Sequence, residues 1–129
     1  MNKKLVKNEK KYWSFIRELR NDTRVKSGFI SQQHISSEEH EDFMNSYGDQ
    51  YYICLIDDTP AGFVGSIKGD IRVATSPDYQ GHGVGKFMIS EILLKFPDSY
   101  AKVKTRNKAS LALFESCGFK KKYFILERE

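Results

Sequence analysis

The sequence predicts an α+β (mixed α/β) fold in a single domain spanning residues 1–129, with a central mixed, mostly antiparallel sheet and helices on both of its faces. Three observations predict it. β-rich runs follow one another from Tyr51 to Thr75 with only short turn signals between them, the mark of an antiparallel meander. After Thr75 the pattern becomes helix, strand, helix, strand. A chain of 129 residues, 40% hydrophobic and 29% charged, can bury one core without staples and is too short for two.

Taken in order, Tyr12, Trp13, Ile16 and Leu19 recur at helical spacing and place a first helix over about Asn8 to Arg20. Before it, only Lys4-Leu5-Val6 could serve as an edge strand, which is either very short or missing. Asn21 to Gln33 reads as polar and irregular. Ser36 with Glu39 makes a capping-box pattern for a second helix through about Met44, which Gly48 ends. Tyr51–Ile56 is a strand, Asp57 to Pro60 a turn, Phe63–Ile67 a strand, Gly69-Asp70 a turn and Ile71–Thr75 a strand, broken by Ser76-Pro77-Asp78. A helix follows over about Gly83 to Lys95, with Val84, Phe87, Met88, Ile92 and Leu94 as its buried side, closed by Pro97. Tyr100–Lys104 reads as a strand. Asn107–Cys117 reads as a helix that packs through Leu111, Leu113 and Phe114 and is capped by a left-handed Gly118, and Phe119–Glu127 as a last strand.

Charge and cysteines narrow the class. The net charge of +4 suits an anionic ligand without demanding one. A pI near 9.0 alone is the only feature favouring nucleic acid, and no known nucleic-acid module accompanies it. The two cysteines, Cys54 and Cys117, have neither metal-site nor redox spacing, and no metal is expected. No apolar run follows the basic N-terminus and none could span a bilayer, so the expectation is a cytoplasmic protein with no membrane partner, monomeric or a homodimer.

The turn Gln80-Gly81-His82-Gly83-Val84-Gly85 carries the chemistry. Glycines let main-chain N–H groups converge, and the helix N-terminus adds free donors and a positive dipole end. Such a site favours an anion by about 0.3–1 kcal/mol per charge, up to ~2 when partly buried. The spacing G-x-G-x-G is not the dinucleotide fingerprint, and Gln80 and Phe87 stand where a P-loop requires glycine and Ser or Thr. A tight turn with no ligand stays open as the alternative.

The turn has company. Val73-x-x-x-Pro77-x-Tyr79-Gln80-x-x-Gly83-x-Gly85 resembles the central Gln/Arg-x-x-Gly-x-Gly/Ala motif of the GCN5-related N-acetyltransferases, the GNAT superfamily. Asn107 to Phe119 resembles the family's Asn-led helix ending in Gly-Phe, at the matching distance. The resemblance implies an acetyl-CoA-dependent N-acetyltransferase moving the acetyl group to a primary amine of a small molecule, an amino sugar among the candidates. Main-chain groups of Val73, Ala74 and Thr75 would hold the pantetheine arm, in a slot between Ile71–Thr75 and Tyr100–Lys104. N–H groups from Gln80, Gly81, His82, Gly83, Val84, Gly85 and Lys86 would hold the pyrophosphate. Asn107 would contact the pantetheine side of the cofactor, and Phe114 would line the same wall. Lys86, Arg106 and Lys108 either reach phosphates or stay solvated.

Catalytic groups are implied less directly. Asp70 aligns with the position of a carboxylate base in many relatives and is also a residue that hairpin turns favour. Relatives often carry a tyrosine acid where this chain has Phe114; Tyr123, Ser110 and Cys117 are the substitutes within reach in sequence, and a thiol of pKa near 8.5 leaves without help. Arg20, Asn21, Val25, Ile35 and His40 resemble the acceptor-side stretch of relatives acting on nucleotide-linked amino sugars or ribosomal-protein N-termini. Arg20 there binds a substrate anion or pairs with a carboxylate, and Asn21 and His40 complete the expected acceptor set. The absent tyrosine also admits another class of protein, a non-catalytic acyl-CoA-binding regulatory domain.

Overall fold

The computed structural model describes residues 2–26, 28–30 and 33–128; Ser27, Ser31 and Gln32, inside the stretch read as irregular, lie outside them. The elements are β1 (Lys3–Lys7), α1 (Trp13–Asn21), α2 (Thr23–Lys26), α3 (Ser37–Tyr47), β2 (Tyr51–Ile56), β3 (Thr59–Ile67), β4 (Asp70–Thr75), α4 (Val84–Lys95) and α5 (Lys108–Ser116). The strands form an antiparallel sheet in the order β1-β2-β3-β4. The edge strand that sequence left in doubt is present, with Lys3 to Lys7 running against Ile56 to Tyr52.

Both hairpins are tighter than the sequence reading had them. Asp57 (φ 48°) and Asp58 (φ 68°) alone make the first turn, because Asp tolerates the left-handed region, and Thr59-Pro60 therefore open β3 instead of belonging to the turn. Pro60 cannot donate to the ladder, and the register slips beside it between Cys54 and Leu55. Lys68 (φ 53°) and Gly69 (φ 85°) make the second turn, which puts Asp70 in β4 rather than in the turn.

β2 is buried on both faces and alternates between two cores. Tyr51, Ile53 and Leu55 join Ile16, Leu19 and Met44 from α1 and α3. Cys54 and Ile56 join Val84, Met88, Ile89 and Ile92 from α4 and Phe114 from α5. Helices thus cover both faces, as expected. Leu94 does not belong to the buried stripe; at 80% exposure it falls on the far side of α4, where the 3.6-residue period puts it, and Phe87 is only half-buried. The cap of α3 forms as the sequence indicates, with Ser36 Oγ accepting from the Glu39 N–H (3.1 Å) and reaching its carboxylate (2.9 Å). Gly118 (φ 95°) follows α5 in the left-handed region.

The later strands differ from expectation. Tyr100–Lys104 touches the sheet through one parallel bridge, Tyr100 to Asp70, and then leaves it. Phe119 packs edge-on against Phe114 (5.2 Å), but Phe119–Glu127 is no strand: Tyr123, Phe124, Ile125 and Leu126 are 87%, 81%, 72% and 91% exposed. β-propensity measures fit to a pleated, half-buried surface, and the described residues present this segment with no such surface.

Candidate active site

Two adjoining cavities flank the outer edge of β4. The peptide groups of an antiparallel strand alternate in direction. Ile71 donates outward to the Tyr100 carbonyl (2.9 Å) and Ser76 donates back to Ala61 (2.7 Å). Val73 and Thr75 therefore face outward with Ile71, while Ala74 faces β3 with Arg72. Because the chain from Tyr100 diverges after one bridge, the outward groups of Val73 and Thr75 border open space. Of the three strand residues expected to offer main-chain groups, Ala74 is thus turned the wrong way to donate, although it still lines the space.

The larger cavity, about 560 Å³, runs along Val73, Ala74 and Thr75 to Gln80, Gly81, Gly83, Val84, Gly85 and Lys86, with Arg24 and Asn107 also on its walls. Gly83 (φ 74°) is the N-cap of α4, and no side chain caps that helix. By contrast, Ser36 caps α3 and the Asn107 Oδ1 caps α5 by accepting from the Ser110 N–H (3.1 Å). The first N–H groups of α4 are left pointing at the cavity, which is what a phosphate-bearing ligand needs. Gly85 serves a different end, since a Cβ there would stand 2.9 Å from Leu113 Cδ2 and force that side chain to shift where α5 packs on α4. His82 is exposed and lines neither cavity.

The smaller cavity, about 250 Å³, shares Gly28, Phe29, Val73, Asn107 and Ser110 with the larger one. Its charged walls are Arg20, Asp70, Arg72 and Lys102, and Phe29, Phe63 and Phe114 supply apolar surface. Phe114, expected on the cofactor wall, lies here instead, buried between the sheet and Phe119. Asp70 Oδ2 lies 3.3 Å from Arg72 Nε and 4.0 Å from Lys102 Nζ. Arg20 stacks its guanidinium over Phe29 at 5.6 Å, and burial pulls its pKa below the ordinary arginine value. Burial pushes the Tyr51 phenol up, against the opposing pull of Arg20 and Arg72.

Three expected site residues are placed elsewhere. Asn21 is spent on a two-way clamp with the Ile35 backbone, donating from Nδ2 and accepting at Oδ1, each at 2.9 Å. His40 is buried and donates from Nε2 to the Trp13 carbonyl (2.9 Å), pinning α3 to α1; burial lowers its pKa. Both hold Arg20's helix in position and neither lines a cavity. Tyr123 stands on the exposed C-terminal segment and lines neither cavity. Sequence reasoning passed over Arg72 as a site residue. Its spacing of two from Asp70 on a strand, which puts both on one face, was the available signal.

A family model described as Acetyltransferase (GNAT) family matches residues 13–119. No curated protein matches the sequence. Among solved structures, the fold is similar to the spermidine N-acetyltransferase from Vibrio cholerae in complex with CoA and spermine (TM-score 0.84, 19% identity, covering 98% of this chain and 85% of that one). It is similar to a ribosomal-protein-alanine N-acetyltransferase from Brucella melitensis (TM-score 0.74, 14% identity, 91% and 84% covered). An N-acetyltransferase from Staphylococcus aureus Mu50 is a further likeness (TM-score 0.70, 15% identity, 93% and 84% covered). At these identities the structures speak to the fold and the family model to membership. The class is that of N-acetyltransferases that take the acetyl group from acetyl-CoA without a metal. This chain belongs to the acetyltransferase (GNAT) family.

Proposed function

We propose that the chain transfers the acetyl group of acetyl-CoA to the primary amine of a small molecule, such as an amino sugar, by direct attack of the amine. The observation that carries this reading is the meeting of the two cavities at Gly28, Phe29, Val73, Asn107 and Ser110: one fits the donor and the other opens beside Asp70. The uncapped N-terminus of α4 fits the pyrophosphate, and the outward peptide groups of Val73 and Thr75 fit the amides of the pantetheine arm.

Acetyl-CoA supplies an activated thioester. The chain's own residues do the rest. A primary amine is mostly protonated near neutral pH and must lose a proton before it can attack. Asp70 accepts that proton. Arg72 and Lys102 beside it favour the neutral amine, because nearby like charge disfavours an ammonium. Ser110, which lines both cavities, is the hydroxyl that serves to donate to the departing thiolate, in preference to Tyr123, which lines neither.

The Vibrio relative binds spermine, a polycation. In this chain three cationic side chains and one carboxylate line the smaller cavity, which disfavours such an acceptor. The two free cysteines, one of them buried, suit a reducing, cytoplasmic setting. Purified protein mixed with acetyl-CoA and a panel of primary amines should release free thiol only when an amine is present. Cofactor binding with no amine-dependent release would favour instead the acyl-CoA-binding regulatory domain, a reading that the pairing of Asp70 with two cations supports.

A further inference from the structure

We infer that the acceptor carries an anionic oxygen group, a carboxylate or a phosphate, and that Arg20 and Arg72 hold it in the smaller cavity. The inference rests on the acyltransferase reading for the amine and on the cavity's own charges for the anion.

Arg20, Arg72 and Lys102 line this cavity against one carboxylate, Asp70. That carboxylate is already shared, 3.3 Å from Arg72 and 4.0 Å from Lys102. Among the described residues Arg20 has no carboxylate partner; its neighbours are the face of Phe29 and the Tyr51 hydroxyl. Arginine does not surrender its proton, so a largely buried guanidinium without a counter-ion keeps its charge and bears a desolvation cost. An anion from the ligand removes that cost.

The Tyr51 hydroxyl is a second, independent sign. Tyr51 is 1% exposed and its hydroxyl, which the guanidinium groups of Arg20 and Arg72 approach as donors, meets no acceptor for its own proton among the described residues. Buried donors in folded proteins have acceptors. An oxygen anion at the two guanidinium groups, directly or through a bridging water, provides one for all three donors. The planar guanidinium fork matches the geometry of a carboxylate or a phosphate and offers nothing to a neutral or cationic group. The acceptor then has two ends: an anion at Arg20 and Arg72, and an amine turned to Asp70 and the shared opening at Val73.

The test is calorimetric titration of the protein saturated with coenzyme A, using matched pairs: glucosamine 6-phosphate against glucosamine, and leucine against leucinamide. The anionic member of at least one pair should bind about tenfold tighter or more. Discrimination in the first pair alone identifies a phosphate, and in the second alone a carboxylate. Arg20→Gln and Arg72→Gln should each bring the ratio close to one, and unchanged coenzyme A affinity certifies the folded state. No tighter binding by the anionic member of either pair overturns the inference, as does discrimination that survives both substitutions. Amine-dependent thiol release is read separately. Anion discrimination without release overturns the acyl-transfer reading and leaves the anion site standing.

Discussion

The two cavities beside β4 are built from different material. The larger is walled on one side by main chain, a glycine turn, the uncapped start of α4 and the outward edge of a strand, with side chains such as Arg24 and Asn107 facing it. The smaller is walled by side chains that converge from α1, β4, the segment after Tyr100 and the start of α5. Main-chain donors are available whatever the neighbouring side chains are, provided the backbone takes the right conformation. Side-chain sites depend on which residues arrive and on how each charge is partnered. The first kind of site fails through φ and ψ, and the second through the loss of a single group.

The largest effect is expected in the smaller cavity. Asp70→Asn should lower kcat by about 10²–10⁴, the usual weight of a positioned base, and leave the KM for acetyl-CoA within about threefold. The residual rate should climb with pH as the free-amine fraction grows. A wild-type rate at every pH would remove Asp70 from the proton path and leave it as the counter-ion of Arg72 and Lys102.

In the larger cavity the expected lever is conformation. A Cβ at Gly83 finds room, with Lys3 Nζ its nearest neighbour at 3.9 Å, so no steric clash of that atom bars a side chain there. The φ of 74° is what excludes other residues, at a cost of about 1–2 kcal/mol and more for a β-branched one. Gly83→Val should re-form the turn and weaken acetyl-CoA binding by about tenfold to a hundredfold in a calorimetric titration. Gly83→Glu should lose a similar amount. A far greater loss for Glu than for Val would show that side-chain charge, and not backbone, governs the site.

The same contrast explains what could be read in advance. The glycine turn, the Asn107 cap and the meander were legible because each is local: a few adjacent residues fix the backbone and the backbone makes the site. The partners of Asn21 and His40 are not legible because polarity in a sequence does not reveal one; the Ile35 and Trp13 main-chain groups that engage them lie 14 and 27 residues away. Tyr51 reads as an ordinary strand aromatic, and only packing sets its hydroxyl near two arginines. The last strand does not form because a run of aromatic and aliphatic residues such as Tyr123 to Leu126 describes a segment's capacity to pair, while pairing needs an edge that a linear sequence does not display.

His40 tests whether the side-chain cavity has a scaffold of its own. Its folded pKa is depressed by burial, with Arg20 and Arg17 adding to the effect and the Trp13 carbonyl opposing it. The unfolded chain therefore takes up a proton at a pH where the folded one does not. The contribution to stability is complete above about pH 6.5 and is lost as pH falls from there through the depressed folded value. Thermal melts from pH 8 to 5 should show this acid limb, and His40→Gln should flatten it. At pH 8, His40→Ala should cost about 1–3 kcal/mol by leaving the Trp13 carbonyl unpaired. A limb unchanged in His40→Gln would assign the acid sensitivity to other groups.

The smallest effects separate two hydroxyls that sequence could not rank. Ser110 lines both cavities, whereas Tyr123 projects from the exposed segment after Phe119. A thiolate with an ordinary thiol pKa leaves readily, so proton donation to it has a modest share of the barrier. Ser110→Ala should slow kcat by about tenfold, with the loss greatest at high pH where solvent supplies few protons. Tyr123→Phe should leave kcat within about twofold and the melting behaviour within ±0.5 kcal/mol, as for any exposed side chain without a partner. If the order were reversed, with Tyr123→Phe the slower enzyme, the segment from Lys120 to Arg128 would have to fold against the outer side of Ala101–Lys104 during turnover, and the all-antiparallel sheet would gain in the working state the strands it lacks here.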